Sequence, residues 1–345
     1  MKLFMRIFLW IMISLAIQFA GLFYANNYLF ASDTSIQTKK IVKSDVKKED
    51  AEIKVPESAK HISVSYDARY LAYYDGDILK VVNVKTGEEK NVEFNDGVKV
   101  SLYKWLPDRN RMLIAEKETS NLSSNLKLAY YDVDKSVKED IKSLDWKDEV
   151  DKKAEVEDIQ ASPLTNIIYV KVAKSGKRSS IYWINIMKEM KPVDTKDSMM
   201  IGKIRVVPHE DNLLYEDLTY HKIYATDKDQ PITIDGIKTP SLLGVDDNDV
   251  VYIGDTEDDK VSKIYYGNVK DEGNKFQAID LKGSVNKSDI FINEQGKIYI
   301  NDNLKGNVRE FGSGKEYNYQ GTFIQMYSGG IISISDGKLV KTQLN

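Results

Sequence analysis

The chain has 345 residues, 42% of them apolar, enough to bury a large core. Its 49 basic and 53 acidic residues leave a net charge of −4, which gives no bulk attraction to nucleic acid or anionic lipid. There is no cysteine, which excludes disulfides, thiolate catalysis and thiolate metal sites, and three histidines leave little material for imidazole chemistry.

The first element in chain order is an apolar run, Ile7 to Tyr24, in which only Ser14 and Gln18 are polar. As a helix it spans about 27 Å, close to a bilayer's hydrocarbon thickness, and Leu3–Met5 can extend it while Arg6 snorkels. Trp10, Phe23 and Tyr24 suit the interfaces. A cleaved signal peptide is the competing reading, but it calls for a shorter apolar region ending at small residues, and Leu29-Phe30-Ala31 places a bulky Leu before the available cut. Lys2 and Arg6 favour a cytoplasmic N-terminus, although Lys39, Lys40, Lys43, Lys47 and Lys48 follow the run among acidic residues. The expected organisation is a cytoplasmic segment 1–6, a transmembrane signal-anchor helix 7–30, a charged tether 31–51 without apolar periodicity, and an extracytoplasmic domain 52–345.

That domain repeats one pattern seven times: an apolar strand, a turn, a second strand, a gap and a third strand. The second strands contain Leu71-Ala72-Tyr73, Met112-Leu113-Ile114, Ile167-Ile168-Tyr169, Leu213-Leu214-Tyr215, Val250-Val251-Tyr252, Lys297-Ile298-Tyr299 and Gly330-Ile331-Ile332. Five of the seven carry Tyr at the same point, as expected of a side chain packing between repeats. An irregular period of about 40 residues built of strands and turns predicts an all-β, seven-bladed β-propeller, with six blades the alternative if the last two repeats fuse. The last repeat holds three strands, so Glu52-Ile53-Lys54-Val55 is expected to supply its fourth and latch the ring.

The stretch from Ser65 to Val92, SYDARYLAYYDGDILKVVNVKTGEEKNV, resembles a blade of TolB-type, WD-repeat-like and dipeptidyl-peptidase-IV N-terminal propellers. Trp105–Ala115 and Ala161–Val170 are degenerate copies. The resemblance implies the fold and little about function, since propellers host hydrolases, lyases, lectins and scaffolds. The heavy Lys, Asp, Asn, Ile and Tyr usage is similar to that of low-GC Gram-positive bacteria.

Candidate chemistry is sparse. Asp246-Asp247-Asn248-Asp249 and Asp255-Thr256-Glu257-Asp258-Asp259 do not follow the calcium-loop spacing and read as solvated turns. No sialidase turn is present, and Gly312-Ser313-Gly314 lacks the nucleophile-elbow spacing. Paired carboxylates across a propeller mouth leave no sequence motif, so glycosidase chemistry stays open. Trp105, Trp146 and Trp183 suit core or rim packing, and the triplets at Asn121 and Asn286 are weak glycosylation matches.

No catalytic residue, metal ligand or cofactor is assigned. Loop variation on a rigid scaffold instead marks the face carrying the strand 2–3 connections Glu116–Asn125, Ala173–Ser180 and Gly254–Lys263. There Lys174, Lys177 and Arg178 oppose Asp255, Glu257, Asp258 and Asp259. The reading is a non-catalytic protein-interaction or ligand-binding module tethered to the cell membrane, with another envelope protein or a cell-wall ligand as partner and no nucleic acid. The alternatives are an envelope hydrolase or lyase acting on polysaccharide or peptide, and a sensor ectodomain with a separate membrane partner.

Overall fold

The computed structural model describes residues 2–24, 51–119, 124–144, 153–174, 178–270 and 276–344. The chain divides into two units, residues 1–48 and 49–345. In the first, Lys2–Tyr24 is one 23-residue helix. It takes in Leu3–Met5 and Arg6, so the apolar run extends N-terminally as the snorkelling arrangement requires. Phe4–Tyr24 is long and apolar enough to cross a membrane, a property that signal sequences share. The tether, Trp146 and the Asn121 triplet fall outside the described residues, apart from Ala51.

The second unit is a seven-bladed propeller. Its blades occupy residues 60–91, 98–143, 155–192, 201–225, 240–286, 290–318 and 322–343, each an antiparallel sheet with strands in sequence order. Every blade buries both faces against its neighbours, so the core is a ring of inter-blade clusters. Tyr169, Tyr215 and Ile204 pack between blades 3 and 4, and Tyr252, Ile264 and Ile298 between blades 5 and 6. The recurrent tyrosines, Tyr73, Tyr169, Tyr215, Tyr252 and Tyr299, are all buried. Several phenols also tie blades together: Tyr169 Oη donates to Asp211 Oδ1 at 2.7 Å, and Tyr252 Oη to the Gly296 carbonyl at 3.2 Å. A phenol meets its hydrogen-bonding need at the far end while its ring fills the interface, which suits Tyr to this recurring place.

Blades 4 and 7 have three regular strands. Blade 7 is completed by the expected latch. Lys54 bridges Lys338, Val55 N–H donates to the Gly337 carbonyl at 2.8 Å, and Leu339 N–H donates to the Ile53 carbonyl at 2.9 Å. Ile53 and Val55 are buried against blade 1, and Glu52 pairs with Lys338 at 2.9 Å. In blade 4 a single bridge, Ile223 to Ile232, holds an irregular segment over the outer edge. Pro231 lacks the N–H that a regular ladder would use there.

The innermost strands depart from simple alternation. Six of the seven blades carry a β-bulge there, with extra residues such as Ser101, Glu157 and Leu243 opposite one partner fewer. A bulge twists the strand and re-aims the side chains beyond it. In this ring the bulges determine which groups reach the central channel.

Candidate functional site

The channel through the ring encloses about 460 Å3 and is lined by the innermost strands together with the turns that follow them. On the face carrying the strand 1–2 turns it adjoins a second hollow of about 430 Å3 lined by Pro107, Leu164, Arg205, His209, Asp247 and Glu294. Towards the other face it is lined by Lys287 and Ser288.

Three cations from consecutive even-numbered blades gather around one carboxylate of blade 3. Lys104 Nζ of blade 2 lies 2.6 Å from Asp158 Oδ1, and Arg205 NH1 of blade 4 lies 3.8 Å from Asp158 Oδ2. Gln160 donates to the same carboxylate at 2.9 Å. The third cation, Lys203, meets no carboxylate at ion-pair distance among the described residues; its ammonium donates to the Leu243 carbonyl, freed at the blade 5 bulge. Glu216, the other acid nearby, is committed elsewhere, accepting from Ser241 Oγ, Leu242 N–H and Lys203 N–H at 3.1, 2.6 and 2.8 Å.

Burial, followed by the adjacent Arg205 guanidinium, brings Lys203 down to about 7. Burial also lowers Arg205 and Lys104. The Lys104 side chain is 40% exposed by area but closely surrounded by protein, so desolvation is the largest cause of its shift. At the mouth the tendency reverses. Burial and then Asp247 raise Glu294, and burial and then Asp246 raise Asp247.

Within the innermost strands the charge lies on one side. The inner strands of blades 2, 3 and 4, Val98–Trp105, Glu155–Ser162 and Ile201–Val206, contain Lys99, Lys104, Glu155, Glu157, Asp158, Lys203 and Arg205. Those of blades 5, 6 and 7, Pro240–Val245, Ile290–Ile292 and Thr322–Tyr327, contain no charged residue. They line the channel with Leu243, Val245, Ile290, Phe291, Ile292 and Met326. Gln325 closes the circle, its amide exchanging hydrogen bonds with the backbone of Val64 in blade 1. Gly244 permits the close approach of blades 5 and 6, since a Cβ there would lie 3.0 Å from the Ile292 side chain.

The residues singled out from the sequence lie mostly away from this cluster. Lys174 and Arg178 are exposed at the tip of blade 3, where Lys174 N–H donates to the Arg178 carbonyl at 2.6 Å; Lys177 lies outside the described residues. Asp255, Glu257, Asp258 and Asp259 belong to blade 5, with blade 4 intervening. Their connection is no long loop, because the strands run on through Val250–Glu257 and Lys260–Asn268. Asp258 and Asp259 alone make the turn, with φ of 48° and 62°, a left-handed pair that Asp tolerates and a two-residue hairpin demands. Asp255 faces Lys263 and Glu257 faces Lys260 across the strands. Similarly, Glu116 is a buried strand residue paired with Lys138. One of the singled-out residues does connect with the channel: Asp259 pairs at 2.7 Å with Lys287, which lines it.

Asp246 performs turn duty, accepting from Asn248 N–H, Val250 N–H and Tyr252 Oη. Among the described residues no group of three or more His, Asp or Glu side chains is arranged to hold a metal.

No family model matches the chain, and no curated protein matches it. Solved structures resemble it at low identity. A chain of a mitotic checkpoint complex is 11% identical with a TM-score of 0.45, covering 85% of this chain and 82% of that one. The dipeptidyl peptidase 4 of Porphyromonas gingivalis is 12% identical with a TM-score of 0.47, and a prolyl endopeptidase is 14% identical with a TM-score of 0.49. This chain covers 49% and 46% of those two peptidases, about half their length. At such identity the likeness concerns fold alone.

Proposed function

We propose that this chain is a non-catalytic binding module, held by its N-terminal helix at the extracytoplasmic face of a membrane, with a ligand or envelope partner engaged at the propeller. The observation that carries the reading is the pair Lys203 and Arg205 lining the channel, with Asp158 and its partner Lys104 beside Arg205. Desolvated cations are costly to fold around, and a cluster of them in a concave site is a candidate for ligand recognition. The apolar helix Phe4–Tyr24 supports the membrane placement. The charges singled out from the sequence, Lys174, Lys177, Arg178, Asp255, Glu257, Asp258 and Asp259, would steer an envelope partner more than they would hold it.

Placement is testable because the chain has no cysteine and Leu304 is fully exposed. A Leu304→Cys variant should react with a membrane-impermeant maleimide in intact cells; labelling only after lysis overturns the placement. Full-length protein offered peptide and polysaccharide pools should bind without turnover, and sustained turnover would make it an enzyme.

A further inference from the structure

The two unlike walls of the channel define the chemistry of what could lie between them. One wall presents Lys203 and Arg205. A carboxylate or phosphoryl group between them would accept charge-assisted hydrogen bonds from the ammonium and the guanidinium, which are roughly twice as strong as neutral ones. Asp158 offsets part of this charge but serves Lys104 and Arg205, leaving Lys203 with a neutral carbonyl. The facing wall, with Leu243, Ile292 and Met326, offers an apolar surface and no charge. A cavity of about 460 Å3 lies within the size of small-molecule sites, which pair an apolar lining with a few placed polar groups.

We infer that the channel binds a small amphipathic organic anion, its carboxylate or phosphoryl head between Lys203 and Arg205 and its apolar body against Leu243, Ile292 and Met326. This deepens the binding-module reading and rests on it. A bare inorganic anion would leave the apolar wall unused, and a neutral apolar molecule would leave Lys203 without a counter-charge. A ligand arriving through the strand 1–2 face passes Glu294 and Asp247. Burial raises both acids above the usual carboxylate range. At the other end Lys287 is already paired with Asp259, so the free positive charge lies within the channel and not at that rim.

The test is calorimetric titration of the full-length protein, in nanodiscs of zwitterionic phospholipid, with four probes. These are phenyl phosphate, phenylacetate, inorganic phosphate and benzyl alcohol. At least one of the first two should bind ten-fold or more tightly than both of the last two. Preference for phenyl phosphate assigns a phosphoryl head, and preference for phenylacetate a carboxylate head. Lys203→Met and Arg205→Met should each weaken the preferred probe at least ten-fold. Ile292→Ala should weaken it while leaving inorganic phosphate unaffected, and the exposed outer-turn variant Lys85→Glu should change nothing. Each variant's thermal transition is recorded alongside, and a variant that does not unfold cooperatively is replaced by Lys203→Gln or Arg205→Gln. Equal affinity for all four probes, no binding of either organic anion, or wild-type affinity in both cation variants overturns the inference. If the organic anions fail while the protein still binds an envelope component without turnover, only this inference falls. Turnover would remove the binding-module reading instead.

Discussion

Blades 2–4 and blades 5–7 have the same architecture and opposite inner surfaces. In the first group the strand nearest the axis carries charges at Lys104, Asp158, Lys203 and Arg205; in the second the corresponding strand presents Leu243, Ile292 and Met326. A propeller needs no such difference to fold, because its stability comes from the inter-blade clusters that both groups share. Difference at the axis against sameness at the interfaces separates what the scaffold requires from what the site requires.

The largest expected effect tests whether both groups depend on one closed ring. Ile53→Ala with Val55→Ala empties the latch of its buried side chains and should cost about 4–5 kcal/mol, lowering the melting temperature by roughly 7 °C. An unchanged transition by calorimetry would mean that the latch does not close the ring.

Within the charged group, Asp158→Ala leaves Lys104 and Arg205 without their shared carboxylate and should cost about 2–4 kcal/mol in urea unfolding, the partial openness of Lys104 keeping it below a fully buried pair. Adding Lys104→Met should restore part of the loss, and strict additivity of the two changes would contradict the coupling.

The pH dependence should expose Lys203. The unfolded chain holds that proton up to the ordinary value of 10.5, whereas the folded chain releases it from about 7. Between these values the unfolded state binds more protons, so this residue makes stability climb as pH rises from about 7 towards 10. Tyr70 and Tyr73, raised to about 12 by burial and their carboxylate partners, act oppositely above pH 10, where the unfolded chain ionises first and stability falls. Denaturation midpoints from pH 6 to 9.5 should rise in the wild type and flatten in Lys203→Met; an equal rise in both would contradict the assignment.

The smallest effect belongs to the hairpin tips. Reversing Lys174, Lys177 and Arg178 to Glu should change stability by less than about 0.5 kcal/mol. It should slow association with an envelope partner and flatten the salt dependence of that rate, as measured by surface binding at several ionic strengths. A wild-type rate at low salt would place the partner elsewhere.

The ring was legible in the sequence because its signal is repetitive. Apolar second strands recur with a Tyr in five of them, and the stray strand Glu52–Val55 supplies what the last repeat lacks. The channel cluster was not legible in the same way. Its members come from three blades, Lys104, Asp158 and Lys203 standing about 50 residues apart, and only closure brings them together. The bulges also break the two-residue alternation from which facing could be read, as at Glu157 and Leu243. A signal was nonetheless present, in charged residues within inner strands such as Ile201–Val206 where Pro240–Val245 has none. Loop length misled, since the Asp-rich stretch of blade 5 is strand up to a two-residue turn.

The most direct test of the account is a crystal of the full-length protein soaked in 4-iodophenyl phosphate, with the iodine located by anomalous diffraction. The account predicts one dominant iodine peak in the channel beside Ile292 and Met326, with the phosphoryl group between Lys203 and Arg205. Iodine only on the outer surface, or a phosphoryl group turned to the apolar wall, would contradict it.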